Sequence, residues 1–220
     1  MTRPVVHKSE PVTLVGAGVF NADDLTLALK HAPSLVAADG GGNALVGHVQ
    51  APLAVIGDLD SLTNKARAAF SKVMHHVGEQ DTTDFEKCLT RIAAPVILAV
   101  GFTGGRLDHT LSALNTMARH RDRPVILIGP DDISFLVPHS KITLDLPVAT
   151  RLSLMPLADA RVDTKGLRWE IRDVALHPAR AASISNETTA PQVTIHAMGP
   201  LLITLPQGAL AAAITAVRAG

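Results

Sequence analysis

Apolar residues in the first part of the chain fall into two alternating patterns. Short continuous runs rich in Val, Ile and Leu occupy residues 12–15, 35–38, 53–56, 96–100 and 125–128. Each gives way to Gly, Asp or Pro. Between the runs, apolar positions recur three and four residues apart. Leu25 and Leu29 share a face within 23–31, and Ala66, Ala69, Phe70 and Val73 do so within 64–74. The same holds for Phe85, Leu89 and Ile92, and then for Leu107, Leu111, Leu114 and Met117. The runs predict strands buried on both faces, and the spaced positions predict amphipathic helices. Strand and helix in alternation predict an α/β fold: a mostly parallel sheet with helices on both faces.

The pattern changes after Ile133. Apolar stretches at 143–146, 151–155, 167–171, 181–184, 193–196 and 201–205 are separated by Pro, Gly, Asp and Asn, with no helical spacing between them. Such spacing predicts an all-β sandwich. The boundary falls near 137–147, giving an α/β domain over 1–140 and a β-sandwich domain over 141–220. The alanine-rich stretch 207–220 predicts a short helix.

Composition narrows the partners. The chain has 220 residues, 47% of them hydrophobic, and its 20 Lys+Arg balance 20 Asp+Glu. A nucleic-acid surface would need a basic excess or stripe, so an anionic small molecule has to be held by local charges. Cys88 is the single cysteine, which excludes an intramolecular disulfide or a zinc site built on several thiolates. The polar start of the chain lacks a signal-peptide core, and no apolar run is long enough to span a bilayer. A cytoplasmic protein without membrane partners is the expectation.

Candidate chemistry gathers where apolar runs end. In Gly57-Asp58-Leu59-Asp60-Ser61, extended backbone aims Asp58 and Asp60 at one spot. Two such carboxylates repel unless a cation lies between them, and Mg²⁺ takes one or two carboxylates plus phosphate oxygens. The competing reading is a turn whose Asp caps the next helix. In Asp81-Thr82-Thr83-Asp84-Phe85-Glu86-Lys87, Thr83 and Glu86 form a capping-box pattern. Asp84 and Lys87 then pair a metal-binding carboxylate with a phosphate-binding ammonium, or make an ordinary surface i,i+3 ion pair. Gly101 to His109 supplies Gly104 and Gly105 for close backbone approach, Arg106 to fork onto phosphate, and Asp108 and His109 at a helix start. Asp39-Gly40-Gly41-Gly42-Asn43 ends another strand. Gly16-Ala17-Gly18 is a weaker match to a nucleotide turn. Ligands bind at such strand ends in open α/β sheets. His75, His76 and Cys88 read as surface or packing residues.

In this order, and with Thr164-Lys165-Gly166-Leu167-Arg168-Trp169 and Ser183-Ile184-Ser185-Asn186 downstream, these segments resemble the thiamine pyrophosphokinase family over about residues 12–205. The resemblance implies an ATP-binding α/β domain, a thiamine-binding β-sandwich and a homodimer with thiamine between subunits. It implies pyrophosphate transfer from ATP to thiamine, with Mg²⁺, giving thiamine diphosphate and AMP. By motif, Asp58, Asp60, Asp84, Lys87 and Asp108 would be catalytic, with Asp58, Asp60 and Asp84 on the metal. Asp39, Gly40, Gly41, Thr83, Gly104, Gly105, Arg106, His109, Trp169, Ser185 and Asn186 would bind the two substrates. Trp169 would stack on thiamine or pack in the sandwich core. One departure is local: family members often carry glycines where this chain has Leu176 to Ala182. The alternatives are a related pyrophosphokinase acting on a pterin-like hydroxymethyl compound, and a non-catalytic thiamine or nucleotide sensor.

Overall fold

A computed structural model describes residues 4–219, which fall into two compact units. The first takes the chain up to Thr116 together with Leu127–Pro130; the second takes Met117–Ile126 and the chain from Asp131 onward.

The first unit opens with β1 (Val6–His7), β2 (Val12–Val15), α1 (Ala22–His31), β3 (Ser34–Ala38), α2 (Gly41–Ala44) and β4 (Ala54–Gly57). It continues with α3 (Asn64–Phe70), β5 (Met74–His76), α4 (Asp84–Leu89), β6 (Ile92–Ala93) and β7 (Ile97–Val100). In chain order α5 (Leu107–Arg119) and β8 (Val125–Ile128) follow, each divided between the two units. Strands β7, β2, β3, β4 and β5 lie side by side in that order, all parallel. Every residue of β2, β4 and β7 is buried, as a sheet covered on both faces requires. Side-chain caps start the helices. Asn21 and Asp24 exchange bonds at α1, and Thr63 and Thr83 accept from the third N–H of α3 and α4.

The helix expected over 64–74 stops at Phe70, because Met74 pairs with Val55 and extends the sheet as β5. Likewise α4 ends at Leu89, and Ile92 joins β6, which pairs with β1 near the start of the chain.

The second unit holds β9 (Asp132–Leu136), β10 (Lys141–Asp145), β11 (Arg151–Pro156), β12 (Ala160–Lys165), β13 (Val174–Leu176), β14 (Ser183–Glu187), β15 (Gln192–Met198) and β16 (Leu201–Pro206). They make one four-stranded antiparallel sheet, β10-β15-β12-β13, and a second antiparallel run, β14-β11-β16-β9. Burial alternates along β10, β12 and β15, so each presents one side to the core, as in a sandwich. Within the 207–220 stretch, the described residues form a short 3₁₀ turn (Gln207–Ala209) and α6 (Leu210–Ala219), which packs against β10.

One expected strand is absent. Residues 167–171 form a loop, with Leu167 in a single bridge to Thr188. Gly166 takes a positive φ of 95°, and the Glu170 carboxylate accepts the N–H groups of Gly166 and Leu167. Those donors are thereby lost to any strand partner. No helix among the described residues is long and apolar enough to cross a membrane.

Candidate active site

The ends of the parallel strands open onto a cleft of about 370 Å³ in the first unit. Asp39 follows β3 with a positive φ of 37°, and its N–H donates to the Ile56 carbonyl of β4. This bond holds the Asp39 turn beside the loop that leaves β4. In that loop the N–H of Asp60 donates to Asp58 Oδ1 at 3.3 Å, and the Ser61 hydroxyl donates to Asp60 Oδ1 at 2.9 Å. The Ser61 N–H reaches back to Asp39 Oδ2 at 3.3 Å. As a result Asp39, Asp58 and Asp60 each present an oxygen within 4.8 Å of the others. Asp39 is 3% exposed, and its Oδ1 accepts no hydrogen bond from the described residues. A buried carboxylate oxygen without a donor, beside two further carboxylates, fits a hard divalent cation.

Lys87 rises from α4 between Asp58 of this cluster and Asp84. Its ammonium lies 3.1 Å from Asp84 Oδ1 and 3.3 Å from Asp58 Oδ2, and its side chain is 2% exposed. Such burial excludes the surface ion pair. The Asp cap is excluded as well, because Thr63 caps the helix after the Asp58–Ser61 loop. Burial pushes the Asp84 carboxyl above the ordinary range despite Lys87, and the charges of Asp39 and Asp58 add to the rise. Asp58 goes the other way: burial is outweighed by donors from Gln80, the Asp60 N–H and Lys87. Burial also pulls on Lys87, but its two carboxylate partners hold its pKa above the usual lysine value.

Glycines let these groups approach. A Cβ on Gly57 would sit 2.6 Å from the Asp39 Cβ and 3.0 Å from Asp84 Oδ1. A Cβ on Gly41 would meet the Val15 carbonyl at 2.2 Å, so this residue packs α2 on β2 and does not line the cleft. Gly16 and Gly18 both pack on the Gly101 carbonyl, stitching two strand-end turns into one wall. In the same wall the rings of Phe85 and Phe102 lie 4.4 Å apart, centroid to centroid.

Among the residues singled out from sequence, Asp39, Gly40, Asp58, Thr83, Asp84, Lys87, Gly104 and His109 line this cleft, and Asp60 completes the acidic cluster. The carboxylates that converge are Asp39, Asp58 and Asp60, whereas Asp84 is engaged with Lys87. Gly105, Arg106 and Asp108 are exposed and outside the lining; the Arg106 guanidinium pairs with the Asp108 carboxylate two residues on, which lowers the pKa of that carboxylate. Sequence reasoning missed Gln80, whose amide donates to Asp58 Oδ2 at 3.1 Å, and Ser61 and Thr82 in the lining. All three sit beside the motif aspartates, which was the available signal.

In the second unit Trp169 is 58% exposed, which excludes core packing. The buried Asn186 brackets it. Asn186 Oδ1 accepts the Trp169 N–H at 3.1 Å and the Glu187 N–H at 2.8 Å. Its amide nitrogen donates to the Trp169 carbonyl at 2.8 Å and to Ser183 Oγ at 3.1 Å. All four hydrogen-bonding positions of that side chain are thus used. Ser185 takes a positive φ of 58° and donates its N–H to Ser153 Oγ. The Arg168 guanidinium stacks over the indole at 5.1 Å.

Residues 25–127 match the family model described as thiamin pyrophosphokinase, catalytic domain, and residues 139–202 match the one described as thiamin pyrophosphokinase, vitamin B1 binding domain. Among curated proteins, the chain is 29% identical to thiamin pyrophosphokinase 1 of Caenorhabditis elegans, covering 77% of each chain. It is 26% identical to thiamine pyrophosphokinase 1 of Arabidopsis thaliana, over 81% of this chain and 80% of that one. Among solved structures, the thiamin pyrophosphokinase from Candida albicans superposes with a TM-score of 0.75 at 16% identity, over 90% and 89% of the two chains. The one from Geobacillus thermodenitrificans gives 0.75 at 22% identity, over 89% and 96%. At those identities the superpositions establish a common fold.

Proposed function

The chain belongs to the thiamin pyrophosphokinase family, and from that membership we propose that it transfers pyrophosphate from ATP to the hydroxyethyl oxygen of thiamine. The products are thiamine diphosphate and AMP. In this reading the 1–140 part holds ATP and the 141–220 part, in a cytoplasmic homodimer, contributes the thiamine surface. The observation that carries it is the convergence of Asp39, Asp58 and Asp60 around an unpartnered buried oxygen, next to the buried Lys87.

The hydroxyl oxygen bonds to the β-phosphorus while the bridge from the β-phosphorus to the α-phosphate oxygen breaks, and AMP departs with that oxygen. Charge builds on phosphoryl oxygens, so positioning and electrostatics dominate. Asp39, Asp58 and Asp60 would hold Mg²⁺, which would neutralise polyphosphate charge and act as a Lewis acid. Lys87, aligned by Asp58 and Asp84, offers its ammonium to the phosphates. The cleft glycines let backbone approach the nucleotide. Asp84, with its raised pKa, is the cleft carboxylate best matched to take the hydroxyl proton. Arg106 and Asp108, paired outside the lining, serve this reading only if substrate draws the guanidinium onto phosphate. Trp169 offers an exposed aromatic face to the cationic thiamine rings.

The test is direct. Purified protein with ATP, Mg²⁺ and thiamine should form AMP and thiamine diphosphate in equal amounts, and only when thiamine is present. Asp58→Asn should abolish turnover while the protein stays folded. Thiamine-independent release of ADP and phosphate would replace this reading with a nucleotide hydrolase.

A further inference from the structure

The three carboxylates of the cluster come from two separate segments: Asp39 from the turn after β3, Asp58 and Asp60 from the loop after β4. Like charges so close repel, so hydrogen bonds have to hold these segments together; the Ser61 N–H on Asp39 Oδ2 and the Asp39 N–H on the Ile56 carbonyl are two of them. We propose that Asn43 is the positioning residue that fastens one segment to the other and so sets the geometry of the divalent-cation site. The inference rests on the cation reading given above. That reading has two independent supports on the molecule, the clustered acids and the buried, unpartnered Oδ1 of Asp39.

Asn43 sits in the single helical turn α2, which the Asp39 turn starts: the Gly42 N–H donates to the Asp39 carbonyl and the Asn43 N–H to the Gly40 carbonyl. Its side chain leaves that segment and crosses to the other. The amide nitrogen donates to the Ser61 carbonyl at 2.8 Å. The amide oxygen accepts the Thr63 N–H at 2.9 Å and the Thr63 hydroxyl at 3.0 Å. That hydroxyl in turn accepts the Ala66 N–H, so its proton faces Asn43 and its lone pair faces α3. Ser61, one of the two anchored residues and next to Asp60, donates its own N–H to Asp39 Oδ2. Three of the hydrogen bonds that join the loop bearing Asp58 and Asp60 to the Asp39 segment thus run through one planar amide. The job needs a donor and an acceptor on two separate atoms of one short side chain, which Asn supplies; a carboxylate has no donor, and a hydroxyl has both functions on one atom. Asn43 is absent from the cleft lining and bonds Ser61 and Thr63, so it acts by placing the loop that bears Asp58 and Asp60. Outer-shell partners of this kind typically change metal affinity by about 10–100-fold when removed.

The experiment titrates the full chain with Mg²⁺ by calorimetry, and with Mn²⁺ by electron paramagnetic resonance, both without ATP. Thermal midpoints are measured in chelator and in saturating Mg²⁺. Wild type, Asn43→Ala, Thr63→Ala and Asp58→Asn are compared. Asn43→Ala should weaken cation binding about tenfold or more and shrink the midpoint gain that Mg²⁺ gives. Wild-type affinity in Asn43→Ala, with only the metal-free midpoint lowered, would make Asn43 a purely structural residue and overturn the proposal. Should Asn43→Ala fail to fold, Thr63→Ala decides. It removes one of the two donors to the Asn43 oxygen, so weakened binding supports the clamp and unchanged binding refutes it. A wild type that binds no cation sensitive to Asp58→Asn would instead remove the cation site itself. That outcome is separable, because it appears in the wild-type titration.

Discussion

Asp58 Oδ2 lies 3.3 Å from the ammonium of Lys87, a cation so enclosed that its side chain is 2% exposed. The same ammonium lies 3.1 Å from Asp84 Oδ1, so one buried positive charge serves two carboxylates. Desolvation of Lys87 is tolerated because both partners supply charge-assisted hydrogen bonds.

Lys87→Met removes that charge and leaves Asp58 and Asp84 facing each other. Losing hydrogen bonds to charged groups should cost about 2 kcal/mol of stability without divalent cation. Part of it should return on adding Mg²⁺, which replaces the missing positive charge. Turnover should fall by about a hundredfold or more even with the ion present. Denaturant unfolding with and without Mg²⁺, alongside the AMP assay, checks each part. A variant whose loss of activity merely tracks its loss of stability would assign Lys87 to the scaffold.

In the second unit, Trp169 and Asn186 divide presentation from contact. Trp169→Ala removes an exposed ring and should change stability little. It should raise KM for thiamine more than KM for ATP. Asn186→Ala strips a buried amide from the Trp169 N–H, the Trp169 carbonyl and the Glu187 N–H. It should cost about 1–3 kcal/mol and also raise KM for thiamine, because the indole loses its support. Equal effects of Trp169→Ala on both KM values would end the thiamine assignment.

How far the sequence revealed this arrangement depends on range. Strands such as β2 and β8 are legible because their apolar runs coincide with fully buried backbone. The acids were legible too, since each follows such a run. The link from Asn43 to Thr63 was not, because the partners are 20 residues apart and neither is unusual in its own segment. Lys87 and Asp84 were visible as a pair, but the burial that distinguishes them comes from the sheet beneath. The 167–171 stretch imitates a strand because Leu167 and Ile171 are buried at its ends. Glu170 folds the intervening backbone back on itself, and hydrophobic patterning carries no sign of that. Conversely, β12 was missed although it alternates buried and exposed positions, because Arg161, Asp163 and Lys165 mask its apolar side.

Cys88 links the core to pH. Its thiol is buried beneath β4, 3.8 Å from the Ile56 carbonyl, and burial pushes its pKa up, with the Asp84 charge adding. The raised folded-state pKa stabilises the fold fully below the ordinary thiol pKa. That stability is lost as pH rises from there toward the folded value. Above about pH 8.5 this one group should lower unfolding free energy, with a slope that steepens toward about 1.4 kcal/mol per pH unit once the unfolded thiol is fully ionised. Cys88→Ala should remove that part of the alkaline slope while lowering stability at neutral pH through the lost packing. Unfolding curves between pH 7 and 10 for both proteins test it; identical slopes would mean that the thiol ionises in place.

Gly57 tests whether the acidic cluster depends on backbone approach as much as on charge. The residue ends β4, and its bare Cα faces the Asp39 Cβ and the Asp84 carboxylate. A methyl there would lie 2.6 Å from the Asp39 Cβ, a distance that real Cβ atoms do not adopt, so the Asp39 turn has to move. Its φ is not in the left-handed region, so strain of the backbone itself is no obstacle. Gly57→Ala is therefore a steric wedge between β3 and β4 that removes no carboxylate but displaces the Asp39 turn. It should destabilise by about 1–3 kcal/mol through overpacking and weaken divalent-cation binding more than Asn64→Ala, a change on the neighbouring helix. Wild-type cation affinity and turnover in Gly57→Ala would mean that the Asp39 turn adjusts freely, and that the close approach of β3 and β4 does not set the site.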